Sequence, residues 1–192
     1  GLGEPLQCHG AFAFPVVNSR GPDHWRFDEH LAGGGALMDV GVYPLNTTRF
    51  VLDADPVAVS GTTRGEGVLA DVDGHVAFTC EFEGGATGSY TASFDGQADS
   101  RFSIRGTEGR VEVTNAFGAG GARRVTVRRG DASVEVAPVA TNEATEEFDY
   151  FAHALLTDGE VEPDGRDGLT DVRTMAAVYE SAERGARVEL DG

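Results

Sequence analysis

The chain contains no lysine; all 15 of its basic residues are arginines. Against them stand 32 acidic residues, for a net charge of -17. A surface this acidic repels nucleic-acid phosphates and anionic membranes, so neither is an expected partner. The acids are spread among periodic apolar residues rather than blocked into tails, which argues against a disordered acidic chain. Adaptation to very high salt is the better reading. There the Debye length falls to about 3 Å or less, self-repulsion is screened, and hydrated carboxylates keep the surface soluble.

Cysteine is scarce as well. Cys8 and Cys80 each lie in an alternating, strand-like run, which predicts two buried free thiols rather than a disulfide. The histidines at 9, 24, 30, 75 and 153 show no metal-ligand spacing with either cysteine. "DVDGH" (71–75) places its glycine too early for a calcium loop and lacks the closing glutamate, so no metal is expected. No apolar run approaches the ~20 residues of a membrane span, and no signal peptide opens the chain. A soluble, cytoplasmic protein is the expectation.

A dinucleotide-binding fingerprint is missing too. "FGAGGARR" (117–124) looks like a phosphate-binding glycine loop, but a strand-like alternation follows it from Val125 to Arg128. The fingerprint needs a helix there, whose N-terminus holds the pyrophosphate. A hairpin loop is the reading.

What is present suffices for a core: 40% of the residues are hydrophobic. "LQCHGAFAFPVV" (6–17) reads as a strand ending at Pro15 or soon after, and residues 18–32 as a loop. A helix then runs to about Leu52, closed by Asp53 to Pro56. From Val57 to about Val136 the apolar residues alternate, as in "HVAFTCEF", "GSYTASF" and "SRFSIRG", with turn signals between the runs. This predicts an antiparallel meander with one apolar and one polar face. Phe148, Phe151 and Leu155 then repeat at helical spacing, and so do Val172, Met175, Tyr179 and Ala182, before a last short strand, "ARVEL". The expected fold is α+β: an open-faced, mostly antiparallel sheet with helices on one side, in one domain spanning 1–192.

The stretch "GGGALMDVGVYPLNTTRF" (33–50) stands out. Glycines 33–35 would let a backbone approach something flat or large. Asp39 and Tyr43 fall one helical turn apart on the same face. Pro44 cannot donate to the carbonyl of Val40, which predicts a kinked or broken helix. Spacing alone leaves two readings open: a capping Asp39 with a half-buried Tyr43, or a pair aimed into a cleft.

"WRFDEHLAGGGALMDVGVYPLN" resembles the second domain of the glucose–fructose oxidoreductase / inositol dehydrogenase (Gfo/Idh/MocA) family. "GGGALMDVGVYPLN" matches the signature G-G-G-x-x-x-D-x-G-x-(H/Y) at every fixed position. "GEPLQCHGAF" and the run from "FDYFAHALL" to "GARVEL" look like the family's domain borders, so the likeness covers nearly the whole chain. It implies a two-domain dehydrogenase whose Rossmann domain, absent from these residues, carries NADP or NAD. By position it implies catalytic roles for Asp39 and Tyr43, with Tyr43 as the acid–base residue. Trp25, Arg26 and, more loosely, Asn46 would face the sugar, and Gly34 and Gly35 would lie near the cofactor. A tyrosine's ordinary pKa, about 10, is high for base work at neutral pH. The family lowers it with a lysine from the Rossmann domain, which this chain cannot supply. Tyrosine at this position marks the sugar-dehydrogenase, glucose–fructose oxidoreductase and dihydrodiol dehydrogenase branch, and within it the run looks most like haloarchaeal NADP-linked pentose dehydrogenases. The implied reaction is oxidation of an aldose, D-xylose first among them, at C1 to the lactone. The implied assembly is a homodimer or homotetramer joined through the open sheet face. A non-catalytic sugar-binding or scaffold domain is the alternative of a different class.

Overall fold

The computed structural model describes residues 1–118, 122–139 and 141–190. Nine strands form one sheet: β1 (Pro5–Ala13), β2 (Pro56–Arg64), β3 (His75–Phe82), β4 (Thr87–Ser93), β5 (Asp99–Gly106), β6 (Arg110–Thr114), β7 (Arg124–Arg129), β8 (Ala132–Val136) and β9 (Val188–Glu189). Their order is β8-β7-β6-β5-β1-β4-β3-β2-β9. The helices are α1 (Glu29–Ala32), α2 (Val42–Leu52), α3 (Glu143–Thr157) and α4 (Gly165–Arg184).

The sheet is mostly antiparallel, as the alternation predicts, but the meander is not continuous. β1 inserts between β4 and β5, pairing parallel with the first and antiparallel with the second. Period-two patterning tells which side chains share a face, not which strands are neighbours. β1 also ends at Ala13, before Pro15. Part of the segment read as loop is helical: residues 25–27 form a 3₁₀ turn and α1 follows, with the Asp28 carboxylate accepting from the His30 and Leu31 N–H groups at 2.9 and 3.3 Å. The glycine-rich hairpin expected at 117–124 falls partly on residues 119–121, outside the described residues; Arg124 already belongs to β7.

β3 alternates strictly: Val76, Phe78, Cys80 and Phe82 are buried, and His75, Ala77, Thr79 and Glu81 are exposed. The buried set meets Leu37, Leu45, Met175 and Val178 from the helical layer. Cys8 and Cys80 are both buried free thiols, and burial pushes the Cys8 thiol up to about 11. Among the described residues, no helix packs on the opposite face. That face is polar, with His9 bonded to Ser89 at 2.6 Å and Arg187 holding Glu81 through two contacts at 2.8 and 2.9 Å. Two shallow concavities, of about 520 and 480 Å³, are lined mainly by β2, β3 and β4.

α4 packs along β2 through part of the stripe that spacing suggests, Met175 and Tyr179 meeting the core. Its buried residues are Asp171, Thr174, Met175, Ala177, Val178 and Ser181, while Val172 is 48% exposed. Asp171 takes an inward position on the helix, where Arg49 of α2 donates to it through Nη1 at 2.8 Å. Arg49 also reaches Asp55 and Asp167 at 2.8 and 3.0 Å. Among the described residues, the helical layer covers the sheet from β9 to β5, where Leu52 of α2 packs against the Phe102 and Ile104 cluster. All of β8 is exposed.

Stability should rise with potassium chloride into the molar range. The arginine–carboxylate pairs on the surface contribute at most about 1 kcal/mol each and weaken with salt. The acidic excess behind the charge of -17 outweighs them, and screening relieves its self-repulsion. A thermal melt followed by circular dichroism at low and molar salt checks this; a flat melting temperature contradicts it.

Candidate active site

The GGG run is built around a residue that the sequence reading passed over. Asp73, in the β2–β3 connection, is 7% exposed. Its carboxylate accepts from the N–H groups of Gly35 and Leu37, both at 2.7 Å, and from the Tyr179 hydroxyl of α4 at 2.6 Å. Its backbone carbonyl takes the Ala36 N–H at 2.7 Å. Three successive amides at a helix start are thereby satisfied, the role an N-terminal cap performs. Burial pushes the Asp73 carboxyl above its usual range, against the pull of its donors, and burial together with the adjoining carboxyl raises the Tyr179 phenol.

This contact gives the glycines a different purpose from the one expected. Gly34 and Gly35 are buried, and a Cβ on Gly35 would collide with the backbone of Asp73, one on Gly34 with the Tyr179 hydroxyl. What comes close to them is the protein's own β2–β3 loop and α4, so neither is free to line a cofactor. Gly33 lies in the left-handed region and closes α1.

From Leu37 to Gly41 the backbone winds as a π-helix before tightening into α2. Pro44 does not break the helix. It falls in the first turn of α2, where a missing N–H costs little, and the wider π turn ahead of it absorbs the misfit. A Cβ on Gly10 of β1 would collide with Pro44, so this glycine lets the helix lie directly on the sheet.

Asp39, in the π turn, is clamped by Arg26: Nε donates to Oδ2 at 2.9 Å and Nη2 to Oδ1 at 3.1 Å. The Arg26 guanidinium lies over the indole of Trp25, 4.5 Å from the ring centroid. The two charged side chains are each about one-quarter exposed, where a fork-to-fork pair keeps its geometry while still meeting solvent. Tyr43 points elsewhere. Its ring meets Phe12 edge-on at 5.4 Å and Phe117 at 6.1 Å, and 47% of the residue is exposed. Among the described residues its hydroxyl has no hydrogen-bond partner, so it is free to meet a ligand.

Trp25, Arg26 and Asp39 are thus brought together, with Tyr43 one turn further along. Asn46 is not part of this group. Its amide donates to Asp167 and Asp171 of α4 at 3.1 and 2.8 Å, in the network around Arg49. Neither concavity on the sheet includes Asp39 or Tyr43. Among the described residues, no group of three or more His, Cys, Asp or Glu could hold a metal ion, and no helix is long and apolar enough to cross a membrane. Asp73 was visible only as part of "DVDGH", and Tyr179 only as a core position. Phe12 and Phe117 carried no signal beyond being aromatic.

Known proteins share this fold and much of this sequence. The chain is 45% identical to the D-xylose 1-dehydrogenase [NADP(+)] of Haloarcula marismortui, over 99% of its own length and 54% of that protein. It is 31% identical to D-xylose 1-dehydrogenase (NADP(+)) 2 of Haloferax volcanii, over 99% of its length and 58% of that protein. It therefore spans little more than half of these curated relatives. Among solved structures, the aldose–aldose oxidoreductase of Caulobacter crescentus, complexed with glycerol, superposes with a TM-score of 0.89 at 27% identity, covering 98% of this chain and 56% of that one. The GFO/IDH/MocA C-terminal domain matches residues 1–112, which take in Trp25, Arg26, Asp39, Tyr43 and Asp73 as well as the sheet from β1 to β5. The chain belongs to the GFO/IDH/MocA family and corresponds to its C-terminal domain.

Proposed function

We propose that these residues form the substrate side of a nicotinamide-dependent aldose dehydrogenase. The observation that carries the reading is a half-exposed, unpartnered phenol, Tyr43, held on two aromatic rings one turn from an arginine-clamped Asp39. Oxidising a sugar hydroxyl requires the loss of a hydride from carbon and of a proton from oxygen. The nicotinamide, when bound, accepts the hydride. The phenolate form of Tyr43 accepts the hydroxyl proton and becomes the phenol, leaving the C=O of the product. Asp39 and Arg26 hold each other rigid and offer donors and acceptors to neighbouring sugar hydroxyls, and the Trp25 indole gives the pyranose a flat apolar wall. Gly34 and Gly35 are sealed by Tyr179 and Asp73 and offer the dinucleotide no open backbone. The reading therefore assigns cofactor binding, NADP ahead of NAD, to a Rossmann domain that closes the open side of the site.

The substrate within this reading is D-xylose, oxidised at C1 to the lactone. The names of the two haloarchaeal relatives support this choice. The 192 residues then serve as one substrate-binding and oligomerising domain, self-associating through the polar sheet face into a dimer or tetramer. The likeness to an aldose–aldose oxidoreductase supports a second reading, in which a second aldose takes back the hydride.

The test is a chimera in which this chain replaces the matching part of the Haloarcula enzyme. It is assayed in molar potassium chloride with pentoses and hexoses, and with NADP⁺ or NAD⁺. NADP⁺ reduction with D-xylose is the expected result. Reduction by no aldose overturns the dehydrogenase reading. Reduced product from a pair of aldoses without added NADP⁺ selects the second one.

A further inference from the structure

Rings alone set the direction of the Tyr43 phenol. With no hydrogen-bond partner among the described residues, it is held by packing on Phe12 and Phe117. Phe12 is anchored by its place on β1, between β4 and β5. Phe117 has no such anchor. It lies in the connection between β6 and β7, outside any helix or strand, yet it is only 8% exposed. One side chain of β5 fastens its backbone. The Phe117 N–H donates to the Ser100 Oγ at 2.6 Å, and the same hydroxyl donates to the Phe117 carbonyl at 2.9 Å. The Ala116 N–H adds a bond to the Ser100 carbonyl at 3.1 Å. The strand register explains the result. Ser100 pairs with Phe12 across β5 and β1, so the two side chains leave the sheet side by side on one face. A residue tied to Ser100 through both backbone groups is thereby carried over Phe12, and the two rings lie 5.7 Å apart. Phe102, two residues along β5 and on the same face, meets the Phe117 ring edge-on at 6.3 Å.

We infer that Ser100 and Phe117 are positioning residues for the proton transfer, acting through Tyr43, an inference that rests on the dehydrogenase reading above. An acid–base group must stand within hydrogen-bond reach of the proton it takes, and a misplacement of about 1 Å can cost about 100-fold in rate. A polar neighbour could fix the phenol, but it would compete with the sugar for the hydroxyl. Aromatic rings fix the plane of the phenol and leave its oxygen open. Phe12 at 85° and Phe117 at 53° to the Tyr43 ring make two walls of such a corner. One wall belongs to the sheet. The other is held by a single serine hydroxyl, so removing that hydroxyl loosens one wall and leaves the pairing of β1 with β5 in place.

The test joins kinetics of the chimera to tyrosine NMR of the chain, both in molar potassium chloride. Ser100→Ala should lower kcat about 10-fold and change KM for the sugar by less than about 3-fold, the split expected when orientation rather than binding is lost. In a Tyr43→Phe background the same substitution should cost no more than about 2-fold, because residues that act through one group are not additive. A full 10-fold loss in that background, flagged as about the loss seen alone, overturns the inference. Phe117→Leu keeps both backbone bonds to Ser100 and nearly the same volume, so it stays folded and should reproduce the kcat loss. It decides the matter if the alanine variant does not fold, and parental kcat in it overturns the inference. The NMR reading needs no catalysis. The chain has four tyrosines, and the spectrum of Tyr43→Phe identifies the signal of Tyr43. In Ser100→Ala that signal should move toward the value of free tyrosine, as the Phe117 ring is no longer fixed beside it, while the other tyrosine signals stay. An unmoved Tyr43 signal overturns the inference. A moved signal in a chimera that oxidises no sugar would sink the dehydrogenase reading and leave Ser100 and Phe117 as the seat of the Tyr43 ring.

Discussion

Replacing Tyr43 by phenylalanine is expected to lower kcat of the chimera by about 100-fold or more, the usual scale for a positioned acid–base group. The structure gives reason to separate this loss from any loss of folding. The ring keeps its contacts with Phe12 and Phe117, and the hydroxyl that disappears has no partner among the described residues. The melting temperature should therefore stay within about 2 °C of the parent, as for a surface change that breaks no network. Steady-state assays with saturating sugar and cofactor check the first expectation, and a thermal melt checks the second. Activity within a few-fold of the parent would remove Tyr43 from the proton-transfer role. A collapse of the melt would instead make it a packing residue.

Asp73→Ala should do the reverse, damaging the fold first. The substitution leaves the Gly35 and Leu37 N–H groups and the Tyr179 hydroxyl without an acceptor in a buried setting. A buried donor left unpaired costs about 1–3 kcal/mol. Three together, partly relieved by relaxation, put the loss at about 3–5 kcal/mol, the range seen when one partner of a buried charged contact is removed. For a chain of this size that corresponds to a fall of roughly 10 °C in melting temperature. Asp73→Asn keeps one acceptor oxygen and should fall between the alanine variant and the parent. An alanine variant that melts within about 2 °C of the parent would show that these hydrogen bonds contribute little. Because Asp73 fastens the turn that carries Asp39, any activity left in the variants should fall along with stability.

Much of the architecture was legible in the residues. The strict alternation in β3 announced a sheet with one buried and one open face, and the structure shows both. Gly185 ended α4, and Asp53 closed α2 in a left-handed conformation. The Asp39–Tyr43 spacing and the glycine signature picked out the segment that folds into the π turn and α2. Other readings failed for reasons that can be named. Pro44 suggested a kink or a break; the helix runs on through it, and the irregularity is the π turn ahead of it. Asn46 shares a helix with Tyr43, yet Asp167 and Asp171, more than a hundred residues later, claimed its amide. The stripe on α3 was correctly periodic but has no cover among the described residues. Periodicity reports that side chains share a side, and says nothing of what lies opposite.

By itself, then, the sequence determined the quantities that depend on neighbouring residues: the charge, the alternation of faces, the helix ends and the family signature. These follow from backbone torsions and side-chain chemistry over a few residues. Only the tertiary structure decided what depends on distant segments meeting. β1 wedged between β4 and β5, and Arg26 closed on Asp39. Asp73 reached back 38 residues to hold Gly35 while Tyr179 held Asp73. A backbone amide carries no mark of its partner in the sequence. Which buried acceptor satisfies it is settled only when the chain packs and water is excluded, because the cost of an unpaired donor becomes large only there.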